Sequence, residues 1–201
     1  STSSVSQQFR DIAVTYILTG FDTTASGIYW TSALLLTCEE VRNQLEQKLH
    51  SNAQDTDSYL QAVIQESLRL YPPVWYMGRE ATRDTHLGAF AIPAGAFAIT
   101  SPFVIHRNPE LWKDPLQFKP ERFLSDSAEA VTSRSYLPFG LGARMCIGQH
   151  LALDEIRGAI AILFGDYSIT PENAEDRGLC SDFTLVPRNP LQVRIESRAR
   201  R

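Results

Sequence analysis

The 201-residue sequence predicts a mainly α fold with a smaller β part. Apolar residues recur at helical spacing in four stretches: about 6–37, 39–49, 58–70, and the run after residue 146. The β reading rests on Val74 to Thr100, where short extended runs are broken by Gly88, Pro93 and Gly95. The length suits a single domain, residues 1–201, with one core.

The first helix, roughly Ser6 to Thr37, carries only Asp22 as a charge between Ile12 and Leu36. That stretch is long enough to cross a bilayer. Its many Thr, Ser and Gly residues and its central acid argue against lipid. It reads as a helix covered by protein on most sides. The second helix, Glu39–Leu49, has one stripe of Val41, Leu45 and Leu49 and charged residues elsewhere. Polar residues 50–57 form a loop. The third helix, about Ser58–Leu70, turns Leu60, Val63, Ile64, Ser67 and Leu68 inward, and Pro72–Pro73 stops it.

Strands are predicted at Ala89–Ile92 and Ala96–Thr100, and a short helix at Val104–His106. Prolines punctuate 106–123, which reads as mostly irregular. Residues 125–135 are a polar loop. A glycine-rich loop with Cys146 then opens a helix marked by Leu153, Ile156, Ile160 and Leu163. The chain ends in a predicted hairpin of Phe183–Val186 with Leu191–Ile195, turned at Pro187 and Asn189–Pro190.

Composition narrows the function classes. The hydrophobic share is 43% and the charged share 21%, ordinary for a soluble globular protein. A net charge of −4 gives no sign of a general nucleic-acid binder. The three cysteines, Cys38, Cys146 and Cys180, are far apart and show no zinc-type pairing, which suits a reducing compartment. The polar start Ser1–Gln8 lacks the basic opening of a signal peptide.

Pro138–Gly148 (PFGLGARMCIG) is the most informative stretch. A thiolate ligand must be deprotonated, and the start of a helix favours negative charge. Gly142 and Gly148 allow the backbone to approach a large flat partner. Arg144 offers a planar fork for a carboxylate. Two other runs carry chemistry. Thr19–Thr24 (TGFDTT) places an acid beside a hydroxyl in an apolar helix, which is costly unless used or satisfied. It suits either oxygen binding with proton relay or threonines bonded back to their own helix. Glu66 and Arg69 share a helix face, which taken alone reads as an ordinary surface ion pair.

Together these residues resemble the cytochrome P-450 family. Phe139, Gly142, Arg144, Cys146 and Gly148 match all five fixed positions of its haem-binding signature, Phe-x-x-Gly-x-Arg-x-Cys-x-Gly. The resemblance implies the C-terminal half of the P-450 fold: a long central helix, a Glu-x-x-Arg helix, a β-sheet, a Cys-ligand loop and a proximal helix. It implies haem b as cofactor and Cys146 as the axial ligand of its iron, where a thiolate pushes electron density to the metal. Arg144 then pairs with a haem propionate, and Phe139 packs beside the sulfur. Arg79 and His106 match positions that meet propionates.

By the same resemblance Thr23 stabilises the activated oxygen group and Asp22 takes part in proton delivery. Thr19 departs from the usual Ala or Gly. Glu66, Arg69 and Arg122 form a structural network, and Phe21, Val74, Trp75, Tyr76 and Phe183 line a substrate pocket. The implied reaction is monooxygenation of a small, hydrophobic organic substrate. A reductase or ferredoxin supplies electrons, docking near Arg134, Arg144 and Arg157. Peroxide-using, isomerising and non-catalytic relatives are the alternatives.

Family members are about twice as long, and the match begins at their central helix. An N-terminal half on another chain, or lost by truncation, is therefore an expected partner. A cytoplasmic or cytosol-facing location is expected, with any membrane anchor in that missing part.

Overall fold

The structure, a computed structural model, describes residues 2–51, 53–125, 127, 131–132, 134–173 and 178–198, with side chains from Val5 onward. The predicted loops at 50–57 and 125–135 lie partly outside the described residues. Five α-helices and eight short strands follow in the order α1 (Thr2–Thr37), α2 (Glu39–Ser51), α3 (Thr56–Leu70), β1 (Met77–Glu80), β2 (Thr85–Leu87), β3 (Phe90–Ile92), β4 (Phe97–Thr100), α4 (Pro102–Ile105), α5 (Gln149–Asp166), β5 (Tyr167–Pro171), β6 (Leu179–Ser181), β7 (Leu185–Pro187) and β8 (Val193–Ser197).

The helices form where the apolar period demands. In α2, Glu39 and Glu40 open the first turn and Lys48 and His50 close the last, matching the helix dipole. Val41 and Leu45 are its buried stripe. All five residues expected inward on α3 are buried, and Tyr71–Pro72–Pro73 end it. Ser101 caps α4 with its hydroxyl, and Pro102 takes the first helical position, where no N–H is needed.

One apolar cluster joins the second half of α1 to α2, α3 and α5 through Leu35, Leu45, Leu60, Ile64, Leu68, Ile156, Ile160 and Phe164. Gly27 lets α1 and α5 approach closely. A Cβ there would stand 2.7 Å from Ile156 Cδ1.

The first half of α1 corrects the expectation of a covered helix. Val5, Phe9, Ile12, Tyr16, Ile17, Leu18 and Phe21 are all exposed. The cluster that covers the helix begins only after Gly20. Among the described residues no helix is long and apolar enough to cross a membrane.

The strands form four two-stranded antiparallel ladders, β1–β4, β2–β3, β5–β8 and β6–β7. The expected terminal hairpin is not formed. β7 pairs with β6, with Leu185 opposite Ser181, and β8 pairs with β5, with Val193 opposite Pro171. The intervening chain is held elsewhere, because Leu191 N–H donates to Tyr29 Oη of α1. Residues 106–123 are mostly irregular as expected, apart from a 3-10 turn at Pro120–Phe123.

Candidate functional site

A cavity of about 270 Å³ lies between α1, the chain after α3, the cysteine loop and the segment before β7. Thr19, Thr23 and Thr24 face it from α1, and Pro138, Phe139, Arg144 and Cys146 from the loop. Its remaining lining is almost wholly apolar, including Pro73, Val74, Met77 and Phe183. Two chemical motifs more than a hundred residues apart in sequence thus share one space.

The cysteine loop is built on the third helix. Tyr136 Oη donates to Gln65 O at 3.1 Å, and Leu137 N–H donates to His106 Nε2 at 3.0 Å. Gly140 turns the chain at φ +76°, a conformation that suits glycine, with Met77 Sδ 3.2 Å from where a Cβ would stand. Cys146 N–H returns to Phe139 O at 2.9 Å, closing the loop around the exposed thiol. Helix α5 starts at Gln149, three residues beyond Cys146 rather than immediately after it. Among the described residues no backbone N–H donates to Sγ.

The donor set limits what this site can hold. No group of three or more His, Cys, Asp or Glu gathers among the described residues. Cys146 can therefore act as the single protein ligand of a metal that arrives with its other ligands in place, as in a macrocycle. The apolar walls suit the flat body of such a group. Arg144 is exposed, lines the cavity and has no partner among the described residues, so its guanidinium is available to a carboxylate at the group's edge. The residues present fit a thiolate-bound haem.

Arg79, on β1, is exposed, and Nη1 donates to Gly78 O. His106 departs from expectation. It is fully buried, with Nδ1–H donating to Arg69 O at 3.0 Å and Nε2 accepting from Leu137 N–H. Neither nitrogen is left for a propionate, and the ring instead ties the cysteine loop to α3. Burial, ahead of the nearby Arg69 and Arg107 charges, pushes its pKa down to about 4, keeping it neutral.

Glu66, Arg69 and Arg122 meet as one network without solvent contact. Glu66 accepts from Arg69 Nε (2.6 Å) and Nη2 (2.9 Å), from Arg122 Nε (3.0 Å) and from Lys119 N–H (2.8 Å). Arg69 spends its remaining donors on the carbonyls of His106, Pro115 and Gln117, and Arg122 reaches those of Lys113 and Asp114. Trp112 packs against both guanidiniums, 5.0 Å and 5.9 Å from ring centroid to Cζ. The surface ion-pair alternative is excluded by burial.

On α1, Thr23 Oγ1 donates to Thr19 O at 2.7 Å, and Thr19 in turn to Thr15 O. The back-bonded arrangement is present, and Thr23 also lines the cavity. Asp22 does not line the cavity. Its Oδ2 accepts from Thr184 Oγ1 at 2.6 Å.

Of the expected substrate-pocket residues, Val74 and Phe183 line the cavity. Phe21, Trp75 and Tyr76 do not. Phe21 is on the exposed half of α1, and Trp75 packs against Tyr76 while donating to Asp182 O at 3.4 Å. Arg157 donates to Gln61 on α3, which removes it from the exposed arginines around the loop. Arg134 and Arg144 remain exposed. Sequence reasoning missed Thr184, Met77 and Pro73. None carries a motif signal, since each matters only through what folding brings beside it.

A family model described as Cytochrome P450 matches residues 6–195. Cytochrome P450 4V2 of Mus musculus is 31% identical over 204 residues, covering 96% of this chain and 39% of that protein. Cyclooctatin synthase of Streptomyces melanosporofaciens is 36% identical over 179 residues, covering 82% of this chain and 38% of the other. A solved structure of a retinoic acid-bound cyanobacterial CYP120A1 matches with a TM-score of 0.85 at 26% identity, covering 92% of this chain and 45% of that one. The chain spans less than half the length of these relatives.

Proposed function

The chain belongs to the cytochrome P450 family, and from that premise we propose that it is the haem-binding, C-terminal portion of a haem-thiolate monooxygenase acting on a small hydrophobic organic substrate. The observation that carries this is one cavity lined by both Cys146 and Thr23. Haem b, when bound at Cys146, would supply an iron centre for O2 chemistry in which one oxygen atom enters the substrate and the other leaves as water, with two electrons from the redox partner and two protons.

The chain's own residues divide the remaining work. Cys146 offers a single accessible thiolate from a loop fixed to α3 by Tyr136 and His106. Arg144, and Arg79 from β1, orient the cofactor through its carboxylates. Gly142 and Gly148 leave backbone space beside the thiol, and Phe139 screens it. Thr23, with its proton engaged by Thr19 O, keeps oxygen lone pairs toward the cavity. Asp22, one residue before, takes part in proton delivery to that space. Val74, Met77 and Phe183 supply an apolar wall that excludes water and favours a hydrophobic substrate. The retinoic acid bound to the cyanobacterial relative CYP120A1 is in keeping with such a substrate.

Electrons come from a separate reductase or ferredoxin, which meets the chain near exposed Arg134 and Arg144. A further polypeptide segment covers residues 5–21, whose apolar side chains are bare here. The protein faces the cytosol, in keeping with its three free cysteines.

The test is Cys146→Ser in the haem-loaded, full-length protein. The carbon monoxide difference band of a thiolate-ligated haem is expected to vanish; a preserved band sinks the ligand assignment. Turnover with peroxide alone, without O2 and reductant, would move the reading to a peroxide-using enzyme.

A further inference from the structure

We propose that Thr184 is the positioning residue of Asp22, so that the C-terminal segment bordering the cavity fixes the rotamer of the proton-handling acid. This rests on the reading of Asp22 given above. The Thr184 hydroxyl donates to Asp22 Oδ2 at 2.6 Å, the length of a charge-assisted bond. Thr184 is only 2% exposed, so no solvent competes for its donor.

The donor is held rigidly. The next residue, Leu185, is fixed from three directions: its carbonyl accepts from Ser26 Oγ and Trp30 Nε1, each at 2.8 Å, and its N–H donates to Pro73 O at 3.0 Å. Trp30 is itself stacked on Tyr71, ring centroids 4.1 Å apart. Asp22, Ser26 and Trp30 recur every four residues and therefore form one stripe of α1. That stripe grips residues 184–185 through three side-chain hydrogen bonds. The residue before Thr184 is Phe183, which lines the cavity.

The consequence concerns geometry. An aspartate on a helix has several staggered χ1 states, and proton transfer works only from those within hydrogen-bond reach of the path. Thr184 engages Oδ2 and thereby selects one of these states. Because Phe183 and Thr184 are adjacent, the wall that meets substrate and the group that sets the acid are one piece of chain.

The test uses the haem-loaded, full-length protein. Thr184→Val removes the hydroxyl at nearly constant shape, and Thr184→Ser restores it. The carboxylate stretch of Asp22, identified as the infrared band lost in Asp22→Asn, is expected to shift in T184V and return in T184S. The fraction of reducing equivalents recovered in product should fall about tenfold in T184V, the size of one hydrogen bond to a charged group. It should recover in T184S, while substrate affinity holds. T184V should add nothing in an Asp22→Asn background. An unmoved infrared band overturns the proposal, as does normal coupling in T184V when Asp22→Asn is uncoupled. An Asp22→Asn variant that couples normally defeats the proton-handling reading itself, and the inference with it.

Discussion

Glu66→Gln keeps the shape of the buried network and removes the negative charge that Glu66 brings to it. The structure gives the cost. Glu66 Oε1 serves three donors and Oε2 serves Arg69 Nε. If the glutamine oxygen takes the Oε1 place, its amide N–H2 faces Arg69 Nε, donor against donor. One bond to a charged group is lost outright, worth about 2 kcal/mol. Both buried guanidiniums also lose the Glu66 charge, and breaking such a pair costs about 3–5 kcal/mol in all. Five backbone carbonyls still hold Arg69 and Arg122, which keeps the total near the middle of that range, about 4 kcal/mol. Against a typical stability of about 5–15 kcal/mol this is a quarter or more. Urea unfolding followed by far-UV circular dichroism measures it, provided the denaturant slope is unchanged. A loss below about 1 kcal/mol at constant slope would refute the reasoning, because it would equate the network with an exposed ion pair.

Two further outcomes follow from packing and titration. His106 has its folded pKa depressed to about 4 from an ordinary 6.5, chiefly by burial. The unfolded chain therefore binds more protons between those values, so stability is full above pH 6.5 and lost as pH falls toward 4. From pH 7 to pH 5 the loss from this group is about 2 kcal/mol, read as the difference in pH dependence between wild type and His106→Gln in urea titrations. A parallel pH dependence in the two proteins would contradict it. At Gly27, alanine gains helix propensity of about 1 kcal/mol but drives its Cβ against Ile156 Cδ1. Gly27→Ala combined with Ile156→Val, which removes that methyl, should be more stable than the sum of the single changes, measured as a double-mutant cycle.

Helices and the cysteine loop were legible because their signals are local. The α3 stripe, its proline stop and the Phe139–Gly148 spacing each lie within a short window. The β pairings were not. From sequence the run at 183–186 is expected to pair with 191–195, whereas the observed partner of 185–187 is 179–181. What decides is that α1 claims Leu185 O and Tyr29 claims Leu191 N–H. His106 was misread for a related reason. A histidine before Arg-Asn-Pro signals chemistry that suits a carboxylate, but burial between Arg69 O and Leu137 N–H can be known only once α3 and the loop are side by side. The expectation of cover for α1 came from a helix with one charge in twenty-five residues. The apolar character was read correctly, but no described element covers residues 5–21.

Residues 106–117 have almost no regular ladder of their own, and three of their carbonyls, those of His106, Pro115 and Gln117, converge on the single guanidinium of Arg69. A cation on a neighbouring helix does here what strand partners do elsewhere. The ordered state of this coil is thereby tied to α3. Any event that withdraws Arg69 would turn the same stretch into open chain, the kind of substrate a protease cuts first.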